Sequence, residues 1–219
     1  MRTIRRLSAG LAFLVLLPAV ASAQTAHPFT NAWYWGAKGG AMTVRTGLES
    51  QIAPVVGVDW MITRTRAGLY LSLEQGYFNA VGSVSDTSSA SGLREVDLKN
   101  FRRASAALVA YPGTVAGLRT YAGIGVALNI IQRARPVDGV FTSPGGASEA
   151  MHRIEDRRSR TSAVFIGGVQ REWDNLALFG QATMMPTGSR FLLSGDDNLY
   201  MLEAGLRVNI GSAIEKLDR

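Results

Sequence analysis

The chain has 219 residues, a formal net charge of +6, two histidines and no cysteine. Without cysteine it has no disulfide, no cysteine-ligated metal and no thiol nucleophile, and two histidines cannot form a three-histidine metal site. Charged residues make up only 18% of the chain, against roughly 25% in an ordinary soluble protein.

The first 23 residues have the order of a secretory signal peptide. Three arginines precede an apolar run over residues 7–17, and small residues at positions 21–23 end in Ala23. We predict cleavage after Ala23, which leaves residues 24–219 as an exported domain. The net charge then falls from +6 to +3 because the three arginines are lost, too little to indicate a nucleic-acid partner.

Eight segments of the exported domain alternate between apolar and polar side chains with a period of two, which is typical of strands rather than helices. Most are about 9–13 residues long, the length at which a tilted strand crosses a bilayer. The segments begin near Ala32, Val55, Leu69, Leu98, Leu118, Thr161, Leu176 and Asn198.

The two faces of these segments differ in a way that indicates a barrel. The apolar faces carry no charged residue, while the polar faces carry charges and many glycines. A solvent-facing strand has no use for so many glycines, because each weakens the strand. The interior of an eight-stranded barrel does need small residues, since it has room only for side chains. We therefore predict an all-β fold, an eight-stranded antiparallel up-and-down transmembrane β-barrel with its apolar face toward lipid.

Seven charged residues fall on the faces that would point into this barrel. Because unpaired buried charge is costly, we predict that they form a paired polar network in the lumen rather than the lining of a pore. These residues are Lys38, Asp59, Glu74, Arg103, Arg119, Glu203 and Arg207.

Short and long connections alternate along the chain. Short turns at residues 64–66, 112–114 and 174–175 alternate with longer loops, the longest at residues 80–97 and 134–160. Outer-membrane barrels have their short turns on the periplasmic side, so both chain ends are predicted there, and they have an aromatic girdle at each end. The predicted girdle residues are Trp33, Trp35, Trp60, Tyr111 and Trp173 at the periplasmic end and Tyr77, Phe78, Phe101, Phe191 and Tyr200 at the outer end.

Three motifs resemble the small barrels of the outer-membrane-protein-A-like family. Residues 33–40 resemble the first strand of that family, residues 121–125 its fifth, and residues 168–178 its sixth and seventh with the turn between them. The resemblance covers essentially the whole mature chain. It implies an eight-stranded barrel in the outer membrane of a diderm bacterium.

The chain departs from the family pattern in two places. In the family, Gln170 and Gln181 often correspond to acidic residues, so the resemblance carries over no salt-bridge network at these positions. Family barrels usually end on an aromatic residue that the assembly machinery reads, whereas here residues 212–219 follow the last predicted strand without one.

Catalytic and metal-binding chemistry finds little support in the sequence. Some eight-stranded barrels are lipid-modifying enzymes with a Ser–His–acid set, which requires a histidine near both a serine and a carboxylate. His27 precedes the first strand, and His152 lies in the loop predicted at residues 134–160. We predict no catalytic residue, no cofactor and no metal ion.

Four arginines lie near the end of the same loop. They are either a solvated part of the loop or a contact for the phosphates of lipopolysaccharide, which arginine binds by bidentate hydrogen bonds. These arginines are Arg153, Arg157, Arg158 and Arg160.

We therefore predict an outer-membrane protein with a structural or surface-interaction role. Its expected partners are outer-membrane lipid and lipopolysaccharide, together with an extracellular ligand held by the long loops. A narrow channel for small solutes is the alternative, and a lipid-modifying enzyme is the weaker third hypothesis.

Overall fold

Eight antiparallel strands, each paired with the next and the last with the first, close a barrel. The structure is a computed structural model that describes residues 31–86, 89, 91–137, 145–188, 191–193 and 198–212. Each of the eight predicted segments begins in a different strand, which confirms the all-β, eight-stranded, up-and-down fold. The strands are β1 (Ala32–Arg45), β2 (Ser50–Thr63), β3 (Ala67–Ser85), β4 (Leu93–Val115), β5 (Leu118–Pro136), β6 (Ser159–Trp173), β7 (Leu176–Pro186) and β8 (Asn198–Ser212).

β1 begins and β8 ends at the same end of the barrel. Ala32 pairs with Ser212, and the Ala32 N–H donates to Thr63 Oγ1 at 3.1 Å, beside the first short turn. The predicted signal segment, residues 1–23, lies outside the described residues, as do His27 and all of the tail after residue 212. Cleavage after Ala23 therefore stays a prediction.

The barrel wall has apolar side chains outside and polar side chains inside. On the outward face, Leu108 and Leu202 are each 69% exposed. On the inward face, Arg207 and Asp59 are only 1% and 0% exposed. A soluble protein shows the reverse distribution, because water favours exposed charge and buried aliphatic groups. This wall is matched to lipid, as the predicted register requires.

Aromatic residues mark two levels on the outer wall. Trp35 and Trp60 are exposed at the end with the short turns, where their ring centroids lie 5.9 Å apart, edge to face. Tyr77 is exposed at the other end. The stretch of β3 from Leu69 to Tyr77 rises about 20 Å if the strand is tilted by about 40°, close to the ~25 Å apolar band of such barrels.

Six of the ten predicted girdle residues are exposed, and the other four predictions were wrong. Phe101 and Tyr111 have the same parity on β4 as the inward Arg103, so strand alternation places them inside although they lie at the predicted levels along the strand. The buried aromatic residues are Phe78, Phe101, Tyr111 and Phe191.

Two predicted loops contain regular structure. Most of residues 80–97 belongs to β3 and β4, which continue as a hairpin beyond the outer end of the barrel. Part of residues 134–160 forms the helix α1 (Gly146–Arg158), which buries Ala150 and Ile154, one helical turn apart. Among the described residues, no helix is long and apolar enough to cross a membrane.

One predicted turn is displaced along the chain. β4 continues through residues 112–114, and the turn lies at Ala116 and Gly117, whose φ values are 50° and 78°. Two successive residues with positive φ are typical of a type I′ hairpin turn. Pro112 lies at an irregularity in the pairing of β4 with β5, a place where a strand tolerates proline.

Three elements cover the outer end of the barrel interior, and we call them the outer cap: residues 78–85 with 93–98, α1, and residues 191–193. Nine of their apolar residues, among them Leu98, Ile154 and Phe191, are buried in one cluster with inward side chains of the strands. The Leu192 N–H donates to the Arg157 carbonyl at 3.2 Å, which ties the third element to α1. The outer mouth of the barrel is therefore covered by packed structure.

We predict that positions 205 and 206 differ in their tolerance of tryptophan. Leu206 is 52% exposed and faces outward, so Leu206→Trp should cost little stability. Gly205 faces the lumen, where a Cβ atom would clash with the Ala37 carbonyl and lie 2.9 Å from Lys38 Cβ. Gly205→Trp should therefore lower the free energy of unfolding by about 1–3 kcal/mol or more. Reversible urea unfolding in lipid vesicles measures both, and the opposite ranking would show that the register is inverted.

Candidate functional site

Six of the seven predicted charges lie together inside the barrel. Each has the inward parity of its strand and is at most 6% exposed. Three are positive and three are negative, so together they add no net charge to the interior. β1 supplies Lys38, β2 Asp59, β3 Glu74, β4 Arg103, and β8 both Glu203 and Arg207.

The ion pair nearer the short-turn end spans three strands. Arg207 donates to Asp59 Oδ2 through Nε at 2.8 Å and through Nη2 at 2.6 Å. Its Nη1 donates to Gln170 Oε1 at 3.1 Å, and its guanidinium carbon lies 3.6 Å from the centroid of the Phe179 ring. The pair passes over Gly36 of β1, the cross-strand partner of both charged residues. A Cβ atom at Gly36 would clash with the Asp59 carboxylate, so this contact requires glycine.

A second cluster of four charges lies nearer the outer end. Lys38 Nζ contacts the Glu74 carboxylate directly and lies 3.1 Å from the Glu203 carboxylate. Arg103 Nε donates to Glu74 Oε2 at 2.8 Å, and its Nη2 lies 3.8 Å from Glu203 Oε2. Gly57 of β2 stands between Lys38 and Glu74 in the register and leaves space for their contact. Each cation faces two carboxylates and each carboxylate faces two cations, so no charge in this cluster is stranded.

Neutral side chains join the two clusters. Gln181 Nε2 donates to Glu203 Oε2 and to Tyr70 Oη, both at 3.0 Å. Its oxygen accepts from Tyr121 Oη at 3.0 Å and lies 3.5 Å from Arg207 Nη2. An amide can donate and accept at once, whereas a carboxylate only accepts. Glutamine at this position also keeps the interior balanced, because a further acid would add an unmatched negative charge.

The seventh predicted charge, Arg119, is separate from the two clusters. It is half-buried at the short-turn end, with its Nε 2.8 Å from Glu172 Oε1. Glu172 also accepts from Gln170 Nε2 at 2.8 Å, which connects this pair to the network. Glu172 was not predicted from the sequence because it lies beyond the apolar run assigned to its strand. Its position two residues after Gln170 could have identified it, because strand alternation places both side chains on the same inward face.

The neutral members of the network were not predicted either. The sequence prediction covered only charged residues, although uncharged polar residues share the same inward face. Ser72 Oγ donates to Glu74 Oε1 at 2.7 Å and lies 2.6 Å from Ser105 Oγ. The neutral members are Tyr70, Ser72, Ser105, Tyr121, Gln170 and Gln181.

The four predicted loop arginines lie on α1 and at the start of β6. Arg153 pairs with Glu149 and Arg158 with Glu155 along the helix, so two of the four have acidic partners on their own element. Their contact with lipopolysaccharide stays a prediction. Arg153, Arg157 and Arg158 are on α1, and Arg160 is on β6.

His152 lies on α1 rather than in a loop. Its side chain is 79% exposed, and its Nδ1 lies 3.2 Å from Asp156 Oδ2 on the next turn of the helix. Across the described residues, no group of three or more histidine, aspartate or glutamate side chains is arranged to hold a metal ion.

We predict that Arg207→Met destabilises the barrel by about 3–5 kcal/mol, because it leaves the Asp59 carboxylate buried without its cation. Adding Asp59→Asn should restore part of the loss, since the amide carries no charge. Urea unfolding in lipid vesicles measures both effects. Arg171→Met is the control, because Arg171 is an exposed arginine on the outer wall. Equal stability of Arg207→Met and Arg171→Met would mean that the network does not stabilise the fold.

Comparison with known proteins finds similarity in structure only. No family model and no curated protein matches the sequence. The chain is similar to Neisserial surface protein A, with 13% identity, a TM-score of 0.53, and coverage of 81% of this chain and 97% of that one. Ail, the attachment invasion locus protein of Yersinia pestis, solved with the heparin analogue sucrose octasulfate, matches at 14% identity and a TM-score of 0.43, covering 81% and 99% of the two chains. The closed barrel and its match to Neisserial surface protein A show the eight-stranded fold of small outer-membrane barrels, as the resemblance to the outer-membrane-protein-A-like family implied.

Proposed function

We propose that this protein is a structural and surface-interaction barrel of the outer membrane, that its lumen is filled, and that it catalyses no reaction. The observation that carries the proposal is the inverted wall, which pairs charges inside and exposes aliphatic side chains outside. Closure of the sheet leaves no strand edge for lipid to meet, which a bilayer requires. Export by means of a signal peptide that is cleaved after Ala23 is part of the same proposal.

Side chains that meet across the barrel support a filled lumen. Gln181 of β7 donates to Tyr70 of β3 at 3.0 Å. β3 and β7 are four strands apart in a barrel of eight, so they lie on opposite sides, and a direct contact between them crosses the interior. The outer cap covers the mouth above this level. A channel for small solutes would need a continuous water path where these residues touch.

We predict little or no steady conductance from the purified chain in planar lipid bilayers, because paired side chains fill the lumen at two levels. The double substitution Lys38→Ala with Glu74→Ala removes one positive and one negative charge from the cluster of four charges in the lumen. It should increase conductance while leaving the net charge unchanged. The matched control is Glu155→Ala with Arg158→Ala, a half-exposed ion pair within α1. Stable, large openings of the wild-type chain would contradict the filled lumen and favour the channel.

The outer cap supports the surface-interaction part of the proposal. It places α1 and the β3–β4 hairpin beyond the outer end of the wall, where a partner from outside the cell would meet them. Met151 on α1 is 44% exposed, and Leu93 at the start of β4 is 52% exposed. Exposed apolar side chains on an ordered loop structure are a common basis for binding an extracellular ligand.

Within the described residues, the enzyme hypothesis depends on His152, while His27 lies outside them. A catalytic triad requires a histidine that is oriented between a nucleophile and an acid. His152 contacts Asp156, but its side chain is largely in solvent. A lipid-deacylation assay should therefore show no activity above background. Activity that the substitution His152→Ala abolishes would overturn this part of the proposal.

We predict that the mature protein begins at Gln24 and that it migrates differently on gels before and after boiling. A closed barrel that resists detergent keeps a compact shape until it is heated, whereas a soluble domain does not. Intact mass measurement of the chain from the outer-membrane fraction tests the cleavage. A chain that is found in the soluble periplasmic fraction without a heat-dependent shift would contradict the membrane location.

A further inference from the structure

The outer wall carries a polar cluster at the outer edge of its apolar band. Gln75 of β3 and Arg102 of β4 are cross-strand partners, and Gln132 of β5 lies beside them. Arg102 Nε donates to Gln75 Oε1 at 3.0 Å. With its oxygen turned toward the guanidinium, the Gln132 amide accepts from Arg102 at 2.6 and 3.0 Å. We call Gln75, Arg102 and Gln132 the rim cluster.

More cations follow the rim cluster toward the outside. Lys99 of β4 lies directly opposite Arg133 of β5, and Arg135 lies opposite Asp97. Lys99 Nζ is 3.5 Å from Asp97 Oδ2. Within the described residues, Arg102, Arg133 and Arg135 form no ion pair, so this part of the wall has an excess of positive charge.

An apolar groove runs across the outer wall directly below the rim cluster. Its volume is about 710 Å³, and Arg102 and Gln75 form part of its border. The groove follows one row of cross-strand neighbours in which two alanines stand among larger apolar side chains. That row consists of Ala37, Val58, Leu73, Ala104 and Leu128.

The level of the rim cluster is the boundary between hydrocarbon and water. Tyr77, which is 50% exposed, is the next outward residue after Gln75 on β3, about 7 Å further along the strand. Exposed tyrosines are typical of this boundary. An arginine without a carboxylate partner at this depth is well placed to bind an anion that the membrane itself supplies.

We infer that the rim cluster and the groove together bind one phosphorylated glycolipid of the outer leaflet. Arg102 contacts a phosphate group, Lys99 and Arg133 add positive charge around it, and an acyl chain lies along the groove past Ala104. Charge complementarity selects the phosphate, and the apolar groove selects a lipid rather than a free anion. This inference rests on the proposed outer-membrane location, and it places the lipid on the barrel wall instead of on the α1 arginines.

The test is native mass spectrometry of the purified mature chain in detergent with bis-phosphorylated lipid A as the probe. Arg102→Gln should weaken binding roughly tenfold because it removes a charge-assisted contact, and Arg133→Gln should weaken it several-fold because it removes positive charge beside the phosphate. Arg171→Gln is the control, since it removes the same charge from the opposite edge of the wall. Dephosphorylated lipid A should bind the wild-type chain as weakly as the phosphorylated probe binds the Arg102→Gln variant.

The Arg133 side chain has no hydrogen bond to lose among the described residues, so its variant stays informative even if Arg102→Gln fails to fold. Equal binding of both probes, or equal effects of the Arg133→Gln and Arg171→Gln variants, would overturn the inference. Loss of binding on Arg153→Gln with Arg158→Gln, and not on Arg133→Gln, would also overturn it, because the α1 arginines would then hold the phosphate.

The groove has a test of its own. Ala104→Trp fills the groove from the lipid-facing side and should weaken lipid A binding several-fold. Ala182→Trp is the matched control, because Ala182 is an outward alanine on β7, away from the rim cluster. Equal binding by the two variants would contradict the placement of the acyl chain. A heat-dependent gel shift of every variant shows that the barrel is intact, so a failure of lipid binding is distinguishable from a failure of the membrane proposal.

Discussion

The packing of the barrel interior depends first on the ion pair between Arg207 and Asp59. It joins β8 to β2 over Gly36 of β1, and so it crosses the seam at which the ends of the chain meet. Bringing distant parts of a chain together costs entropy before any contact repays it. This pair forms only when the seam has the correct register, because a slip of one residue would move Arg207 into lipid and Leu206 into the lumen. The register of the seam and the charge balance of the lumen therefore stabilise each other.

The sequence predicted both faces of the wall because strand alternation is strict where the barrel is regular. Alternation changes phase at Asn100, which has a φ of 56°. Leu98 and Phe101 are both buried, although they are three residues apart. A period-two pattern does not show a left-handed residue inside a strand, so the hairpin beyond it was predicted as a loop. The helix α1 was missed for another reason, since a short polar helix is stabilised by docking rather than by its own sequence.

The charges of the lumen were predictable as a set, but their partners were not. Parity alone placed Lys38, Asp59 and Arg207 inside, and it said nothing about which cation faces which carboxylate. The partners follow from the stagger of the strands and from the inward glycines, which let a side chain reach past its immediate neighbour. Gly36 shows this dependence, because a Cβ atom there would occupy the position of the Asp59 carboxylate. The residue type of Gln181 also follows from its neighbours, because its amide donates to Glu203 and Tyr70 and accepts from Tyr121, whereas a carboxylate could only accept.

The outward face, in contrast to the lumen, carries apolar side chains, and the charged residues that interrupt it mark the edge of the hydrocarbon. A cation on the lipid side costs about 2–4 kcal/mol at the bilayer midplane and close to nothing at the boundary. Arg102 and Ala104 are successive outward residues of β4, so the change from charge to apolar surface takes place within about 7 Å. In the lumen, each buried charge is neutralised by a partner on another strand. At the rim, Arg102 has only amide partners among the described residues, and the inferred lipid phosphate would supply the neutralising charge.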